Sequence, residues 1–447
     1  MLSPCSREVH DRRSLRLRQE VCPVIWLSRR RAGPLLAAAL LALDAGGAWA
    51  QGQVVRLPEQ DRALAGTAPQ VFALGKADGA EHEMFDEISS VAFDAAENLY
   101  VLDRQAKRVM VYDRTGRFLR QIAKEGQGPG ELIQPLQIVF AGDGTLVVSD
   151  LGRFGYSLFR TDGSFVRNVM AEGLMPGTRA GLSWHPRGGV VGTFLEAPGL
   201  GSGGPPRVSN AAPLMLVPFS GGLPSRIFAL PSNDRVTQNA TPGTGGGQEV
   251  NIRRRPPPAF TPATLYAVLP DGNVALSFTS GYTVRIVDLN GQTLRYLQRP
   301  VRTRLTTDRD REQAREARRE LMASGRGRIT ISVGGGGGGG GGRAPRGTPG
   351  GAEMEQMLRE MEFADTIPAL QGLRVSPSGK LLVERTGANV GDPGPVDVIT
   401  PEGQYLGTFT GVGLPDALSR GGLAAYIEYD DDGVGRVIVR RLPAGWR

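Results

Sequence analysis

Histidine, cysteine and long apolar runs are all scarce in this chain of 447 residues, and each shortage removes a class of function. Three histidines occur, and beyond the first fifty residues only His82 and His185 remain. A zinc site built on several imidazoles therefore has no residues to draw on. A Ser-His-Asp triad would have to use one of those two, and no G-x-S-x-G elbow offers the nucleophile. His185 stands in the turn "HPRGG" and His82 in the polar run "DGAEHEMFDE", so both are expected on the surface. The only cysteines are Cys5 and Cys22. The apolar run Ala32–Leu43 is too short to span a bilayer and Asp44 ends it.

That short run has a different use. Arg29, Arg30 and Arg31 precede it and the small-x-small tripeptide Ala48-Trp49-Ala50 comes after it, which reads as an export signal over residues 1–50. Ala32 and Gly33 stand where a twin-arginine signal would carry hydrophobic residues. With both cysteines before the cleavage site, the mature chain is expected to hold together without disulfides and to have no stable membrane span. The formal charge of +7 is also concentrated here: residues 1–50 hold eight arginines against four acids. The remaining weak excess is no footprint for a polyanion, and no nucleic-acid partner is expected.

Glycine, in contrast, is abundant: 63 residues, about twice the ordinary share. The chain is one of many turns, and the turns repeat. "VAFDAAENLYVLDRQAKRVMVYDRTGRFLRQI" (91–122) aligns without a gap on "IVFAGDGTLVVSDLGRFGYSLFRTDGSFVRNV" (138–169), placing Asp103 on Asp150, Gly116 on Gly163 and Phe118 on Phe165. Each unit reads as four short alternating strands separated by Asn, Asp and Gly. Weaker copies occur at 181–230, 265–297 and 370–409, and 423–442 supplies two strong strands that lack an outer partner. "PQVFALG" (69–75), just ahead of the first unit, can supply that missing edge. Six units closed in this way leave no open sheet edge.

The turn "EGQGPGEL" between two such units, together with "NLYVLD" and "RVMVYDRTGRFLR", resembles the NHL-type six-bladed β-propellers. It is most similar to exported bacterial propellers with a G-x-G-P-G-E turn between blades. The resemblance implies an all-β chain: residues 51–68 a flexible lead-in, 69–442 a six-bladed β-propeller closed by an N-terminal strand, and 302–367 a helical, glycine-rich insertion between blades 4 and 5. NHL relatives include RNA binders, protein-interaction modules and sensor domains, and sister families include metal-dependent lactonases and an amidating lyase, so the fold by itself selects no function.

The turn invites a nucleotide reading that its residues refuse. A phosphate cradle needs consecutive free N–H groups leading into a helix. Pro129 removes a donor from the middle of Gly126, Gly128 and Gly130, and Pro135 bars a helix from the residues just beyond them. The three glycines are read as structural, supplying positive φ where the chain crosses between blades.

Insertion lengths point to a face. Links between first and second strands, and between third and fourth, are uniformly short. Every long insertion (195–212, 231–261, 300–367, 386–394) falls in the other set of links, which share the opposite face. Insertions confined to one face of a repeat array mark its binding face. Within 300–367, two helical stretches flank the run Gly334–Gly342, a flexible tether. The second stretch places Met354, Met357, Leu358 and Met361 at helical spacing. That face is expected to pack on the propeller itself, the alternative being a grip on an exported peptide or partner helix.

Candidate contacts are chosen by position. Arg104, Lys107, Arg108, Arg153, Phe154 and Tyr156 lie in or beside second-to-third-strand loops and are the expected ligand or partner contacts. Asp103 and Asp150 recur at equivalent strand ends, which argues for turn capping rather than a catalytic pair. The expected role is an exported binding or scaffolding module for a protein, peptide or glycan, without a cofactor. The alternative is a calcium-dependent lactonase or esterase-like hydrolase at the central channel, with Asp86, Glu87 and Glu131 as oxygen ligands.

Overall fold

The computed structural model describes residues 52–171, 174–176, 181–196, 213–220, 223–231, 235–242, 248–255, 257–323, 351–430 and 433–446. The export signal, the Gly334–Gly342 run and most of the 195–212 insertion lie outside the described residues.

Six antiparallel sheets succeed one another along the chain. Blade 1 is Ile88–Phe93, Leu99–Asp103, Arg108–Tyr112 and Phe118–Ile122, paired in that order. Blade 2 repeats the pattern with Pro135–Phe140, Leu146–Asp150, Gly155–Phe159 and Phe165–Met170. Blade 3 is built on Ser183–His185, Gly189–Glu196, Leu214–Pro218 and Ser225–Phe228, with Leu174–Pro176 paired to the far end of its second strand. Blades 4 and 5 start at Leu265–Val268 and Leu370–Val375. Blade 6 has only three strands from its own stretch, Ala417–Leu418, Leu423–Tyr429 and Gly435–Arg441. Gln70–Leu74 adds the fourth, antiparallel to Gly435–Arg441. The expected N-terminal closing strand is therefore in place.

Packing closes the ring. Six apolar clusters occupy the six gaps between neighbouring blades. Tyr100, Leu102 and Val109 of blade 1, for example, meet Ile138, Leu146 and Val148 of blade 2. Leu423, Ala425 and Val437 of blade 6 meet Val91, Val101 and Met110 of blade 1. Because each sheet is covered on both faces, the middle strands do not alternate as expected. All five residues of Leu99–Asp103, Arg108–Tyr112, Leu146–Asp150 and Gly155–Phe159 are buried.

The lead-in differs from the expected flexible segment. Gln53–Arg56 adds a fifth strand to blade 4, parallel to its outer strand Thr293–Gln298. Asp61 then accepts hydrogen bonds from Arg299 at 2.6 Å and Arg385 at 2.7 Å, and Leu64 donates its N–H to the Thr408 carbonyl at 2.8 Å. Residues 53–64 thus cross blades 4 and 5. The insertion between those blades carries the two expected helices, α1 (Asp308–Ala323) and α2 (Gly351–Arg359). Among the described residues no helix is long and apolar enough to cross a membrane.

Candidate binding site on the loop-rich face

The residues singled out in the sequence are largely engaged with one another. Arg104 is bonded to Glu87 at 2.5 and 2.6 Å, and both side chains are mostly covered. Lys107 pairs with Glu125. Arg108 is buried, donating to Glu81 Oε1 at 3.0 Å, to the Met84 carbonyl at 2.9 Å and to Asp103 at 3.4 Å. Arg153 reaches back to the carbonyls of Gly128 (2.8 Å) and Glu131 (2.9 Å). Phe154 caps a short 3-10 turn with φ 51°. Tyr156 is wholly buried against Phe219, with ring centroids 5.3 Å apart, and burial pushes its phenol well above its ordinary pKa.

The acids behave likewise. Asp150 accepts the N–H groups of Ile133 (2.9 Å), Gln134 (2.8 Å) and Gly152 (3.0 Å). Asp103 accepts those of Asp86 (3.3 Å) and Glu87 (3.1 Å); burial raises its carboxyl pKa while these donors oppose the shift. In both blades the strand-ending Asp ties down the chain entering that blade. Glu131 folds back over its own turn to accept the Gly128 N–H at 2.8 Å, which lowers its pKa. Gly130 sits at φ 77°, and a Cβ there would lie 3.0 Å from that of Phe165, so this turn needs glycine. Asp86, Glu87 and Glu131 do not converge: among the described residues no three His, Cys, Asp or Glu side chains could jointly hold a metal ion.

The histidines correct the sequence reading. His185 is fully buried, its Nε2 2.8 Å from the Gly272 carbonyl and its Nδ1 accepting the Arg187 N–H at 3.1 Å. Burial lowers its pKa, which keeps the imidazole neutral. It links the turns of blades 3 and 4. His82 is half-buried and stacks on Phe118 at 4.5 Å.

What the loop-rich face does assemble is an apolar pocket of about 820 Å³. Three of the long links build it: Pro257 and Ala259 between blades 3 and 4, both helices between blades 4 and 5, and Val390 inside blade 5. The links are tied by backbone. Ala259 donates to the Glu362 carbonyl and Ala364 to that of Ala259, both at 2.8 Å. Thr306 donates to the Asp365 carbonyl at 2.9 Å. At the foot of α1, Asp310 binds Arg304 at 2.6 and 2.7 Å, and this pairing holds its carboxyl well below the usual range. Arg319 of α1 reaches Glu355 of α2 at 3.2 Å. Leu358 is buried in the pocket wall. Met357 and Leu321, however, remain 40% exposed on the pocket wall beside Ala314, Ala317, Met322 and Met361.

A family model described as 6-bladed beta-propeller matches residues 80–154, from beyond the closing strand Gln70–Leu74 through blade 1 to the turn after the second strand of blade 2. This chain is a six-bladed β-propeller. No curated protein matches it at a significant level. Similar solved propellers include a gluconolactonase from Xanthomonas campestris, at 15% identity over 80% of this chain and 88% of that one, with a TM-score of 0.37. The calcium-binding protein regucalcin from Agrobacterium tumefaciens shares 11% identity over 88% and 97% of the two chains, with a TM-score of 0.35. Virginiamycin B lyase from Staphylococcus aureus shares 8% over 83% and 99%, with a TM-score of 0.36. Likenesses this remote say nothing of what the present propeller binds or does.

Proposed function

We propose that this propeller is exported by the signal in residues 1–50 and serves as a binding module, taking apolar side chains of a protein or peptide into the pocket on its loop-rich face. The observation that supports this reading is convergence. Three of the four long links meet at one pocket, lined by Ala, Leu, Met, Pro and Val, with Arg318, Glu360 and Glu362 beside them. Its volume lies within the range of ligand pockets, about 300–1,000 Å³. Unbranched methionine side chains adapt to varied partners, and two helices lying side by side offer a groove to a third. A wall of aliphatic side chains suits apolar anchors of a peptide better than the hydroxyls of a glycan. Among the described residues, no three acidic or imidazole side chains gather to support the calcium-dependent hydrolase alternative.

Selection of helical amphipathic peptides from a display library on the immobilised protein tests the reading. Selected peptides are expected to lose at least about tenfold in affinity for Met357→Glu and Leu321→Glu variants, since placing a charge in a desolvated contact costs more than about 1.4 kcal/mol. Both residues are partly exposed, so neither substitution threatens the fold. Peptides that bind both variants as tightly as the parent would place the binding surface elsewhere and overturn the proposal.

A further inference from the structure

A second cavity, of about 340 Å³, lies where the first strands of the blades converge on the axis of the ring. Blades 1, 2, 5 and 6 line it, with Gly181 and Leu182 ahead of blade 3. Most positions on these strands are small or apolar, as the inside of a packed ring requires. Two are not. Arg374, on the first strand of blade 5, faces Asp416, which leads into the first strand of blade 6, with Nη2 and Oδ1 3.9 Å apart. That separation is too long for a hydrogen bond, and Arg374 makes no other polar contact among the described residues. Its side chain is 44% exposed, and that of Asp416 39%. Asp416 is held in place from behind, accepting the Ile427 N–H at 2.7 Å on Oδ2. Its other oxygen has only the loose contact with the guanidinium. Ser89 adds a buried hydroxyl with no partner among the described residues.

A guanidinium with its five donors unfilled, at the wall of a half-open cavity, is a receptor for a planar anion. The charge count chooses the anion. One guanidinium faces one carboxyl, so a dianionic phosphate would bring two negative charges against Asp416 with a single cation to offset them. A monoanionic carboxylate is matched by Arg374 alone. The carboxyl of Asp416 then needs a neutral donor, since an ammonium group would sit beside the guanidinium. Burial raises the pKa of Asp416, with the Ile427 N–H and Arg374 opposing the shift.

We propose that the axial cavity binds a small hydroxy-carboxylate, with its carboxylate paired to Arg374 and a hydroxyl donating to Asp416. The size of the cavity sets an upper limit near the small end of ligand pockets, about 300 Å³. The site shares no residue with the methionine-lined pocket and stands or falls separately from it.

Calorimetric titration of the whole protein with glycolate, glycerate and gluconate, each beside its deoxy analogue, its methyl ester and inorganic phosphate, is the test. At least one hydroxy-carboxylate is expected to bind, with its ester at least about tenfold weaker, because the ester keeps the shape and loses the charge-assisted bonds. Arg374→Gln is expected to lose a similar factor, and Asp416→Asn to remove the preference for the hydroxylated ligand over its deoxy analogue. Should a variant fail to fold, the ester and deoxy comparisons on the parent protein decide the matter alone. The proposal is overturned if none of the three binds at 10 mM (roughly 2.7 kcal/mol at 25 °C), if esters or phosphate bind as tightly as the acids, or if Arg374→Gln binds unchanged.

Discussion

At the scale of single residues, Asp397 shows how a buried charge joins blades. It is fully buried in the third strand of blade 5, bonded to Arg299 at 2.8 Å and to the Thr408 hydroxyl at 2.5 Å. Arg299, itself buried, comes from the end of blade 4 and also holds Asp61 and the carbonyls of Pro58 (2.8 Å) and Glu59 (3.3 Å). One guanidinium thus joins two blades and the lead-in. Removing one partner of a buried ion pair costs about 3–5 kcal/mol, and replacing both by apolar groups is often neutral. Here Arg299 would keep Asp61, and Asp397 would keep Arg385 at 3.6 Å. Asp397→Leu and Arg299→Met are each expected to lower the urea midpoint by the equivalent of about 3 kcal/mol or more. The double variant is expected to recover a large part of that. Equal loss in single and double variants would mean that packing, not charge, holds this junction.

The same scale shows what the sequence conceals. Arg374 was not legible as a site residue because it sits inside a good repeat. Only register exposes it: Val375, Phe93, Phe140 and Val268 each end the first strand of their blade, so Arg374 takes the place of Ala92, Val139 and Ala267. A charge at a position that elsewhere holds Ala or Val was the available signal. Arg104, Arg108 and Arg153 drew attention by lying in loops, yet loop position says nothing about whether a carbonyl or carboxylate within reach has already claimed the side chain.

At the scale of elements, two devices recur. On the trimmed face, an Asp in each of six turns accepts the N–H two residues on: Asp94, Asp113, Asp143, Asp162, Asp271 and Asp288, all at 2.8–2.9 Å. These turns were readable in advance, since their chemistry is local. The fifth strand of blade 4 was not. Gln53–Arg56 is four residues long and pairs with a strand some 240 positions away, which no local periodicity can report. On the loop-rich face the insertion depends on Asp310, which accepts from Arg304 and from the Thr307 N–H at 2.9 Å. Its pKa is depressed in the folded chain, so its contribution is fully present above the unfolded value near 3.8 and is lost as pH falls through the lower folded value. Amide exchange in Asp308–Ala323 is therefore expected to stay slow down to about pH 4 and to accelerate below it. Asp310→Asn should bring the fast exchange to neutral pH. Unchanged protection in that variant would show that α1 is held by its apolar contacts instead.

At the scale of the molecule, stability rests on closing the ring, and two features reinforce the apolar gap between blades 6 and 1. One is the strand Gln70–Leu74, which covers the outer edge of Gly435–Arg441. The other is Glu97, which holds φ 63° in a turn where other blades place glycine, and accepts the Ser419 hydroxyl at 2.6 Å and the Gly421 N–H at 2.8 Å. The lead-in before residue 69 is different in kind, because it adds a strand to a blade that already has four. Deleting residues 52–68 should leave a complete ring, with the loss limited to the parallel strand and the Asp61 contacts. The expected result is a folded monomer with a melting temperature lowered by a few degrees, since about 1 kcal/mol moves a large domain by roughly 2–4 °C. Deleting 52–75 strips blade 6 of its outer strand as well. The unpaired edge of Gly435–Arg441, flanked by the buried Val437 and Val439, then becomes a template for pairing between molecules. Size-exclusion chromatography should show aggregation or failure to fold for the longer deletion and a monomer for the shorter. If both deletions behave alike, the energy of closure lies in the apolar gap between blades 6 and 1 and not in the added strand.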